Sequence, residues 1–250
     1  MRLFTRKSAL LLWVAGACFL AADILYPVSL GLTRALGVAL AGLLAAGLLG
    51  LCWPYRFLRW TLLGLYVALA LFAALPGHTD YDRAALRQEV AQALQRYEGV
   101  RYVWGGEGFW GIDCSGLVRR GMIDGTFIYS VRTCNPYLLR QAIRLWWRDV
   151  SARDMGLGAR GNAKKITEEK SIALLNDKNL RPGDFAITSD GLHALAYLGD
   201  HVWIEADPGG EMKVLRVNAR SGKNDWLRVP VSILRWRLLE TPYRAGRSRH

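Results

Sequence analysis

Cys114 is the residue whose surroundings best suit nucleophilic chemistry. A cysteine attacks a carbonyl carbon only as the thiolate, which requires a lowered pKa and a base nearby. Asp113 is a residue type that caps helices, and an apolar stripe at helical spacing begins at Cys114. The sequence therefore predicts that Cys114 opens a helix, where the helix dipole and free N–H groups favour an anion and help to hold an oxyanion. Spacing alone does not establish catalysis, because a lone cysteine at a helix start is usually structural.

A catalytic thiol needs a base, and the sequence offers four histidines. His78 follows the apolar first third of the chain and His250 is the last residue, so both are poor candidates. His193 lies on a predicted strand, whereas His201 follows a turn at Gly199-Asp200. His193 is the preferred base, and the hairpin that follows it decides whether a carboxylate can orient its ring.

The register of that hairpin has two alternatives. A three-residue loop, Leu198-Gly199-Asp200, would place His193 directly opposite Glu205, where a carboxylate would hold the imidazole tautomer and stabilise the imidazolium. A two-residue loop would instead pair His193 with Ala206 and turn Glu205 to the other face of the sheet. The predicted triad of cysteine, histidine and glutamate therefore depends on register.

The chain beyond residue 77 has helical patterns first and strand patterns afterwards. Residues 82–97 carry an apolar stripe at helical spacing, and Asn135-Pro136 is a typical cap and first turn for a helix ending near Arg148. Residues 158–170, rich in Gly, Lys and Glu, are predicted to form an exposed loop. Short strands separated by Gly, Asp and Pro are predicted at 184–188, 192–198, 202–206 and 212–217. This order predicts an α+β domain.

The first third of the chain is predicted to be a membrane anchor. Three apolar stretches, at about 8–26, 35–53 and 57–76, each approach the ~20 residues that a helix needs to cross a bilayer. Basic residues precede the first stretch and separate the second from the third, while Arg34 alone stands on the other side, so the N-terminus is expected in the cytoplasm. Three crossings then place the domain outside the cytoplasmic (inner) membrane of a bacterium, on its periplasmic side. If residues 1–17 are instead a signal peptide, two further crossings still leave the domain outside.

Composition limits the partners of the predicted parts, which are an anchor at 1–76, a domain at 77–240 and a basic tail at 241–250. The 250 residues carry a net charge of +12, of which +7 falls on residues 77–250, so the domain attracts anions. Nucleic acid is not expected as a partner, because the sequence has no zinc-finger, basic-zipper or RNA-platform pattern. The four cysteines provide no disulfide framework. The oligomeric state is not predicted.

Four motifs in a fixed order carry a more specific signal. They are Tyr102-Val-Trp-Gly-Gly, Gly111-Ile-Asp-Cys-Ser-Gly-Leu117, Pro182-Gly-Asp184 and His193 opening a strand. The combination, over about residues 82–217, resembles the NlpC family of papain-like cell-wall endopeptidases. The resemblance implies a papain-like α+β domain in which the cysteine helix packs on a small antiparallel sheet. It also implies hydrolysis of peptidoglycan stem peptides, typically between γ-D-glutamate and a diamino acid, without a metal or a cofactor.

The resemblance also implies roles for individual residues. Cys114 would attack the carbonyl, and His193 would take the thiol proton and later protonate the leaving amine. Tyr102, twelve residues before the cysteine, would lend its hydroxyl to the oxyanion site. The expected substrate-binding residues are Trp104, Asp113 and Ser115. The last two correspond to residues that receive the amine of the stem peptide in some members of the family.

The sequence departs from the family pattern at two points. The third polar position, twelve residues after His193, usually holds His, Asn or Gln, whereas here it is Glu205. A carboxylate can orient an imidazole as well, and Asp207 is the reserve candidate. The 79 residues from Cys114 to His193 exceed the usual gap, so residues from about 125 to 170 are expected to add a lid or wall to the cleft.

Two other functions stay open. A related thiol fold could transfer or cleave acyl groups on lipids, which would require an apolar channel beside Cys114. An inactive wall-binding module would keep the fold without a closed triad. Cys134, within the expected insert, is predicted to be structural.

Overall fold

The computed structural model of the protein describes residues 6–28, 30–221 and 224–240. Its N-terminal part consists of three long helices, α1 (Arg6–Leu25), α2 (Gly31–Cys52) and α3 (Arg56–Ala74). By length and composition, each is long and apolar enough to cross a membrane. Their ends lie close to the predicted ends, with the largest difference at the start of α2. The predicted basic tail, residues 241–250, lies outside the described residues.

Helices also form one layer of the domain that follows. They are α4 (Arg83–Gln95), α5 (Cys114–Arg132), α6 (Pro136–Trp147) and α7 (Ala152–Gly156). The predicted apolar stripe of α4 is buried, since Leu86, Val90 and Leu94 are each at most 1% exposed. The side chains of Leu94 and Val90 fit against α5 where Gly121 and Gly125 leave room. The cysteine-bearing helix is therefore fixed along its length by α4.

Strands form the second layer. Two short strands, β1 (Glu107–Gly108) and β2 (Gly111–Ile112), pair just before α5. The main sheet contains β3 (Ala163–Glu169), β4 (Phe185–Thr188), β5 (Ala194–Gly199), β6 (Val202–Ala206), β7 (Val214–Asn218) and β8 (Val231–Trp236). It is antiparallel, in the order β3-β8-β4-β5-β6-β7. Strands β4 to β7 confirm the four predicted strands, and the α+β class is confirmed with them.

One edge of this sheet was predicted differently. The exposed loop expected at 158–170 is wrong for its second half, where residues Ala163–Glu169 form β3 and pair with β8. Strand β3 buries only Ala163 and has charged side chains at four of its seven positions. Charged residues are typical of an exposed sheet edge because they discourage pairing with other chains, so this strand has the composition of a loop. Strand β8 has no counterpart among the predicted strands.

The β5–β6 hairpin has neither of the two predicted registers. Its loop is Asp200-His201, with φ of 49° and 62°, and the pairing is interrupted by a bulge at Leu198. Glu205 pairs with Leu195, two positions from its predicted partner. Because the displacement is two residues, Glu205 stays on the predicted face and meets His193 diagonally instead of directly across the strands.

Apolar cores lie on both faces of the sheet. The first core packs α4 and α5 against residues such as Ile204. The second core includes Leu195 and Leu227, the latter within a short turn, Asp225–Arg228. Glu205 faces this second core, because it is the direct pairing partner of Leu195. The cysteine helix and the glutamate thus lie on opposite faces, and the start of β5 is where they approach each other.

Candidate active site

Cys114 is the first residue of α5, as predicted. The Asp113 carboxylate caps this helix by accepting the N–H of Gly116 at 2.6 Å. Cys114 is only 6% exposed, and its Sγ donates a hydrogen bond to the carbonyl oxygen of Leu192, 3.9 Å away. The thiol therefore lies beside the backbone that carries His193.

The pKa of this thiol differs from the prediction. Burial raises the pKa of Cys114 to about 12, and the negative charge of Asp113 adds to the increase. Backbone N–H groups of Ala194 and Ser115 act in the opposite direction, as expected for a helix start, but burial outweighs them. The prediction of a lowered pKa is therefore wrong for this state, in which Cys114 is a neutral thiol.

His193 and Glu205 form a buried pair. Nε2 of His193 lies 2.6 Å from Oε2 of Glu205, and neither side chain is exposed. The backbone N–H of His193 donates to Oγ1 of Thr188 at 2.9 Å, which fixes the chain at the start of β5. Nδ1 of His193 has no hydrogen-bond partner among the residues that the structure describes. One ring nitrogen is thus held by a carboxylate, and the other is buried without a hydrogen-bond partner.

Asp207, the reserve carboxylate, and His201, the alternative base, form hydrogen bonds with other groups. Asp207 accepts the backbone N–H groups of residues 209–211. Burial acts to raise the pKa of Asp207, but these three hydrogen bonds outweigh it and the pKa is lowered. His201 lies at the hairpin turn, where Nδ1 is 2.6 Å from Oδ2 of Asp177. Of the predicted carboxylates, Glu205 is the one in contact with the imidazole.

Two residues that the sequence analysis missed complete the surroundings of this pair. The side-chain amide of Asn224 donates to Oε1 of Glu205, and Oδ1 of Asn224 accepts the N–H of Trp226 at 2.9 Å. The indole of Trp226 stacks on the His193 ring with centroids 4.3 Å apart and planes 24° from parallel. Asparagine is a typical turn cap, but no local pattern indicates that this turn lies beside Glu205.

Tyr102 and Trp104 line the cleft beside Cys114. The N–H of Tyr102 donates to the carbonyl of Met212 at 2.7 Å, and Tyr102 forms an isolated bridge with Ile112. Burial raises the pKa of Tyr102 well above its ordinary value, with a further contribution from Cys114, so the hydroxyl keeps its proton and can donate it. Trp104 is 80% exposed, so its indole is accessible to a ligand.

Asp113 and Ser115 are already bonded to each other and to the backbone. The Asp113 carboxylate accepts the N–H of Gly105 and the hydroxyl of Ser115, each at 2.9 Å, besides the N–H of Gly116. Burial raises the pKa of Asp113, while these three hydrogen bonds oppose the increase. The geometry is that of a helix cap, and the role in receiving a substrate amine stays a prediction.

A cleft of about 440 Å³ opens in front of Cys114. The charged side chains that line it are Glu107, Asp113, Asp149, Arg153, Asp154 and Arg160. Because four of these six side chains are acidic, the cleft does not share the net positive charge of the domain. Residues 149–154 of the predicted insert form one wall, whereas residues 125–132 continue α5.

Leu30, between α1 and α2, also lines the cleft. Within the described ranges, no group of His, Cys, Asp or Glu could hold a metal ion.

A model described as the NlpC/P60 family matches residues 99–230, which is more than half of the chain. The chain therefore belongs to the NlpC/P60 family, and the resemblance carried by its motifs is confirmed. No curated protein matches the chain.

Similar solved structures include NlpC2 and NlpC1 from Trichomonas vaginalis, at 21% and 20% identity and a TM-score of 0.40 each. These alignments cover 63% and 64% of this chain, and 49% and 46% of the other chains. The chain thus spans about half the length of these two proteins. The NlpC/p60 domain of the peptidoglycan hydrolase SagA is 20% identical, with a TM-score of 0.33, over 61% of this chain and 98% of that one.

Proposed function

We propose that the protein is a membrane-anchored cysteine endopeptidase that hydrolyses stem-peptide amide bonds of peptidoglycan, between γ-D-glutamate and a diamino acid. Membership of the NlpC/P60 family, whose members are typically cysteine peptidases or hydrolases, supports the class. The observation that carries the proposal is the arrangement at the start of β5. There the thiol of Cys114 contacts the backbone beside His193, whose ring is held by Glu205.

The first step of the reaction forms a tetrahedral intermediate on the sulfur of Cys114. In the resting state Cys114 is a neutral thiol, so it must lose its proton before or during the attack. Nδ1 of His193 takes this proton while Sγ attacks the carbonyl carbon. For this step Sγ turns from the Leu192 carbonyl towards Nδ1. The carbonyl oxygen becomes an oxyanion, which accepts hydrogen bonds from the Cys114 N–H and the Tyr102 hydroxyl. Glu205 stabilises the imidazolium through Nε2.

The later steps release the products. The imidazolium of His193 gives its proton to the amide nitrogen, the C–N bond breaks, and the amine leaves while the acyl group stays on sulfur. A water molecule then gives a proton to Nδ1 as its oxygen attacks the thioester carbon. The C–S bond breaks, the sulfur of Cys114 recovers the proton from the imidazolium, and a carboxylic acid is released. No step requires a metal or a cofactor.

The arrangement of α1 to α3 supports an anchor with the domain on the outer, periplasmic side of a bacterial inner membrane. Arg34, near the start of α2, contacts Glu107 of the domain at 2.8 Å. Arg140 of the domain donates to the carbonyl of Ala73, at the end of α3, at 2.7 Å. The start of α2 and the end of α3 thus lie on the same side as the domain, as three alternating crossings require. The charge distribution assigns that side to the exterior.

The test uses the full chain, purified in detergent, and a Cys114→Ala variant. Each is incubated with purified peptidoglycan, and the soluble fragments are analysed by mass spectrometry. We expect the wild-type chain to release fragments with a new amine on the diamino acid and a new carboxylate on γ-D-glutamate, and the variant to release none. Equal fragment yields from both proteins, or none from either, would contradict the proposal.

The other two functions differ in their support. Acyl chemistry on lipids has no specific observation in its favour, because the cleft beside Cys114 combines apolar residues such as Leu30 and Leu192 with six charged side chains. One observation favours an inactive binding module, since the imidazole of His193 is fully buried and the thiol bonds the Leu192 carbonyl instead. Binding of peptidoglycan without fragments would establish that module, and release of fatty acid from phospholipid would establish the acyl hydrolase.

A further inference from the structure

The α1–α2 junction (residues 26–28 and 30–34) lies against the glycine loop (residues 103–111) that precedes α5. The N–H of Glu107 donates to the carbonyl of Pro27 at 2.9 Å, and Val28 forms an antiparallel bridge with Gly106. These are backbone contacts between the connection that joins two apolar helices and the loop that carries Trp104. The junction is therefore part of the same compact unit as the cleft, and not a distant tether.

Arg34 strengthens this contact with a buried charge. It is 3% exposed, and its guanidinium donates to Oε2 of Glu107 at 2.8 Å and to the carbonyl of Trp146 at 2.7 Å. The other carboxylate oxygen of Glu107 accepts from Arg119 on α5. Arg119 also donates to two carbonyl groups at the end of α6. One carboxylate of the glycine loop thus holds two guanidinium groups, one from α2 and one from the cysteine helix.

The two buried cations repel each other, which gives Glu107 a specific role. Burial, and then the charge of Arg34, lower the pKa of Arg119 to about 10. A buried charge cluster of this kind contributes little net stability compared with apolar packing, but it fixes the relative positions of the groups it joins. Its three members lie on three different segments, so it fixes the glycine loop between α2 and α5.

The position of the glycine loop in turn sets the start of the cysteine helix. The carbonyl of Gly106 accepts the N–H of Asp113 at 3.0 Å, and the N–H of Gly105 donates to the Asp113 carboxylate at 2.9 Å. Loop and helix are so close that a side chain at Gly116 would collide with the carbonyl of Gly106. Leu30 of the junction lines the same cleft as the thiol. A shift of the loop would therefore move the helix cap and the cleft wall together.

We infer that the α1–α2 junction is a structural part of the active site, with Arg34 as a positioning residue that acts through Glu107 on the glycine loop and the start of α5. The inference rests on the proposed function and deepens it. The anchor then sets the geometry of catalysis, and a domain cut free at residue 77 lacks one wall of its own cleft.

The experiment compares Arg34→Met, which removes the charge at similar length, with Arg34→Lys, which keeps the charge but not both hydrogen bonds. Arg59→Met is the matched control, because this substitution also removes an arginine charge from the anchor. Arg59 lies over the rings of Trp53 and Trp60, away from Glu107. Each full-length variant is assayed for kcat and KM on peptidoglycan fragments and for thermal unfolding. Alkylation of Cys114 by iodoacetamide is followed across pH by peptide mass spectrometry.

We expect Arg34→Met to lower kcat by about tenfold with KM within about twofold, and to shift the pH profile of Cys114 alkylation. Arg34→Lys should recover part of the loss, and Arg59→Met should match the wild type. Wild-type kcat and an unchanged alkylation profile in Arg34→Met would overturn the inference.

A double variant distinguishes a loss of kcat caused by the broken Arg34–Glu107 contact from a loss caused by general misfolding. Glu107→Gln weakens the contacts to both Arg34 and Arg119, so it should lower kcat at least as much as Arg34→Met, and combining the two should cost little more than Glu107→Gln alone. Fully additive losses of kcat in the double variant would overturn the inference. If Arg34→Met does not fold, wild-type kcat and alkylation in both Arg34→Lys and Glu107→Gln would overturn it as well. Alkylation needs no substrate, so it decides the inference even if the wild-type chain cleaves no peptidoglycan and the proposed function fails.

Discussion

Each carboxylate oxygen of Glu205 has a hydrogen-bond partner within the protein. One carboxylate oxygen contacts Nε2 of His193 and the other accepts from Asn224, while Trp226 covers the imidazole ring. In this buried position a carboxylate needs such partners, because an unsatisfied charge is costly in a low dielectric. The orientation of the proposed base is therefore set by two strands and by the turn that carries Asn224.

Asn224→Ala tests this dependence. The substitution leaves Oε1 of Glu205 without its donor and loosens the turn that holds Trp226, so we expect kcat to fall by about tenfold with little change in KM, the equivalent of one lost charge-assisted hydrogen bond. Asn176→Ala is the matched control, because Asn176 caps a similar short turn by accepting the N–H of Lys178. Equal kcat values for the two variants would show that Asn224 serves only its own turn.

The raised pKa of Cys114 should be visible in stability at alkaline pH. An exposed thiol has a pKa of 9.0, and burial raises that of Cys114 to about 12, so the folded state holds this proton more tightly than the unfolded state. The resulting stabilisation is complete below pH 9 and is lost as the pH rises towards 12. Between pH 7 and pH 10, the wild-type chain should lose about 1 kcal/mol more unfolding free energy than Cys114→Ala. Parallel curves from denaturant unfolding under reducing conditions would refute this expectation.

At the scale of elements, the cysteine helix depends on close packing against α4. A Cβ at Gly125 would lie 2.6 Å from the Cα of Val90, so Gly125→Ala forces the two helices apart. We expect a loss of about 1–3 kcal/mol of unfolding free energy, measured by denaturation in detergent. Gly64→Ala in α3 is the control, since a Cβ there meets nothing within 4 Å. A Gly125→Ala chain as stable as the control would mean that α4 and α5 adjust without cost.

The elements with strong local patterns were predicted well. The stripe of α4, the Asp113 cap and the central strands follow from periodicity and capping, which depend on neighbouring residues only. The failures depend on distant residues. Strand β3 has the composition of a loop because it lies at an edge, and the two-residue turn at Asp200-His201 follows a bulge at Leu198 that no local pattern reveals.

Parts of the candidate site were also beyond the sequence. His193, Cys114 and Glu205 could be selected by their motifs, but Asn224 and Trp226 are brought to the imidazole only by the sheet. The sign of the thiol pKa shift depends on burial, which is a property of the folded chain. The contact of Arg34 with Glu107 joins residues 73 positions apart, and an apolar segment gives no indication of it.

At the scale of the whole molecule, average charge is a poor guide to the cleft. The domain carries +7, yet four of the six charged side chains that line the cleft in front of Cys114 are acidic. The attraction of a basic domain for anions acts over its whole surface and is screened within about 10 Å at ordinary salt. The positive charge of the domain is therefore no evidence that the cleft itself attracts an acidic ligand.

The proposed topology can be tested at Cys134. This cysteine, predicted to be structural, is exposed beyond the end of α5, whereas Cys114 is buried and Cys18 and Cys52 lie in the apolar helices. A maleimide that cannot cross membranes should label the chain in intact spheroplasts, because the domain is expected outside the cytoplasmic membrane. In a Cys134→Ser chain this labelling should fall sharply, because Cys114 is only 6% exposed. Labelling that appears only after lysis would place the domain in the cytoplasm and end the proposal of an external enzyme.

The connection between α3 and the domain is fastened on both sides of Gly77. Arg140 binds the carbonyls of Ala73 and Leu75, and the side-chain amide of Asn135 bonds both the N–H and the carbonyl of His78. The domain consequently has no free stalk on which to swing. With the proposed anchor in the bilayer, the active site would stay at a fixed distance from the lipid surface, and the proposed enzyme would cut the wall at one depth only.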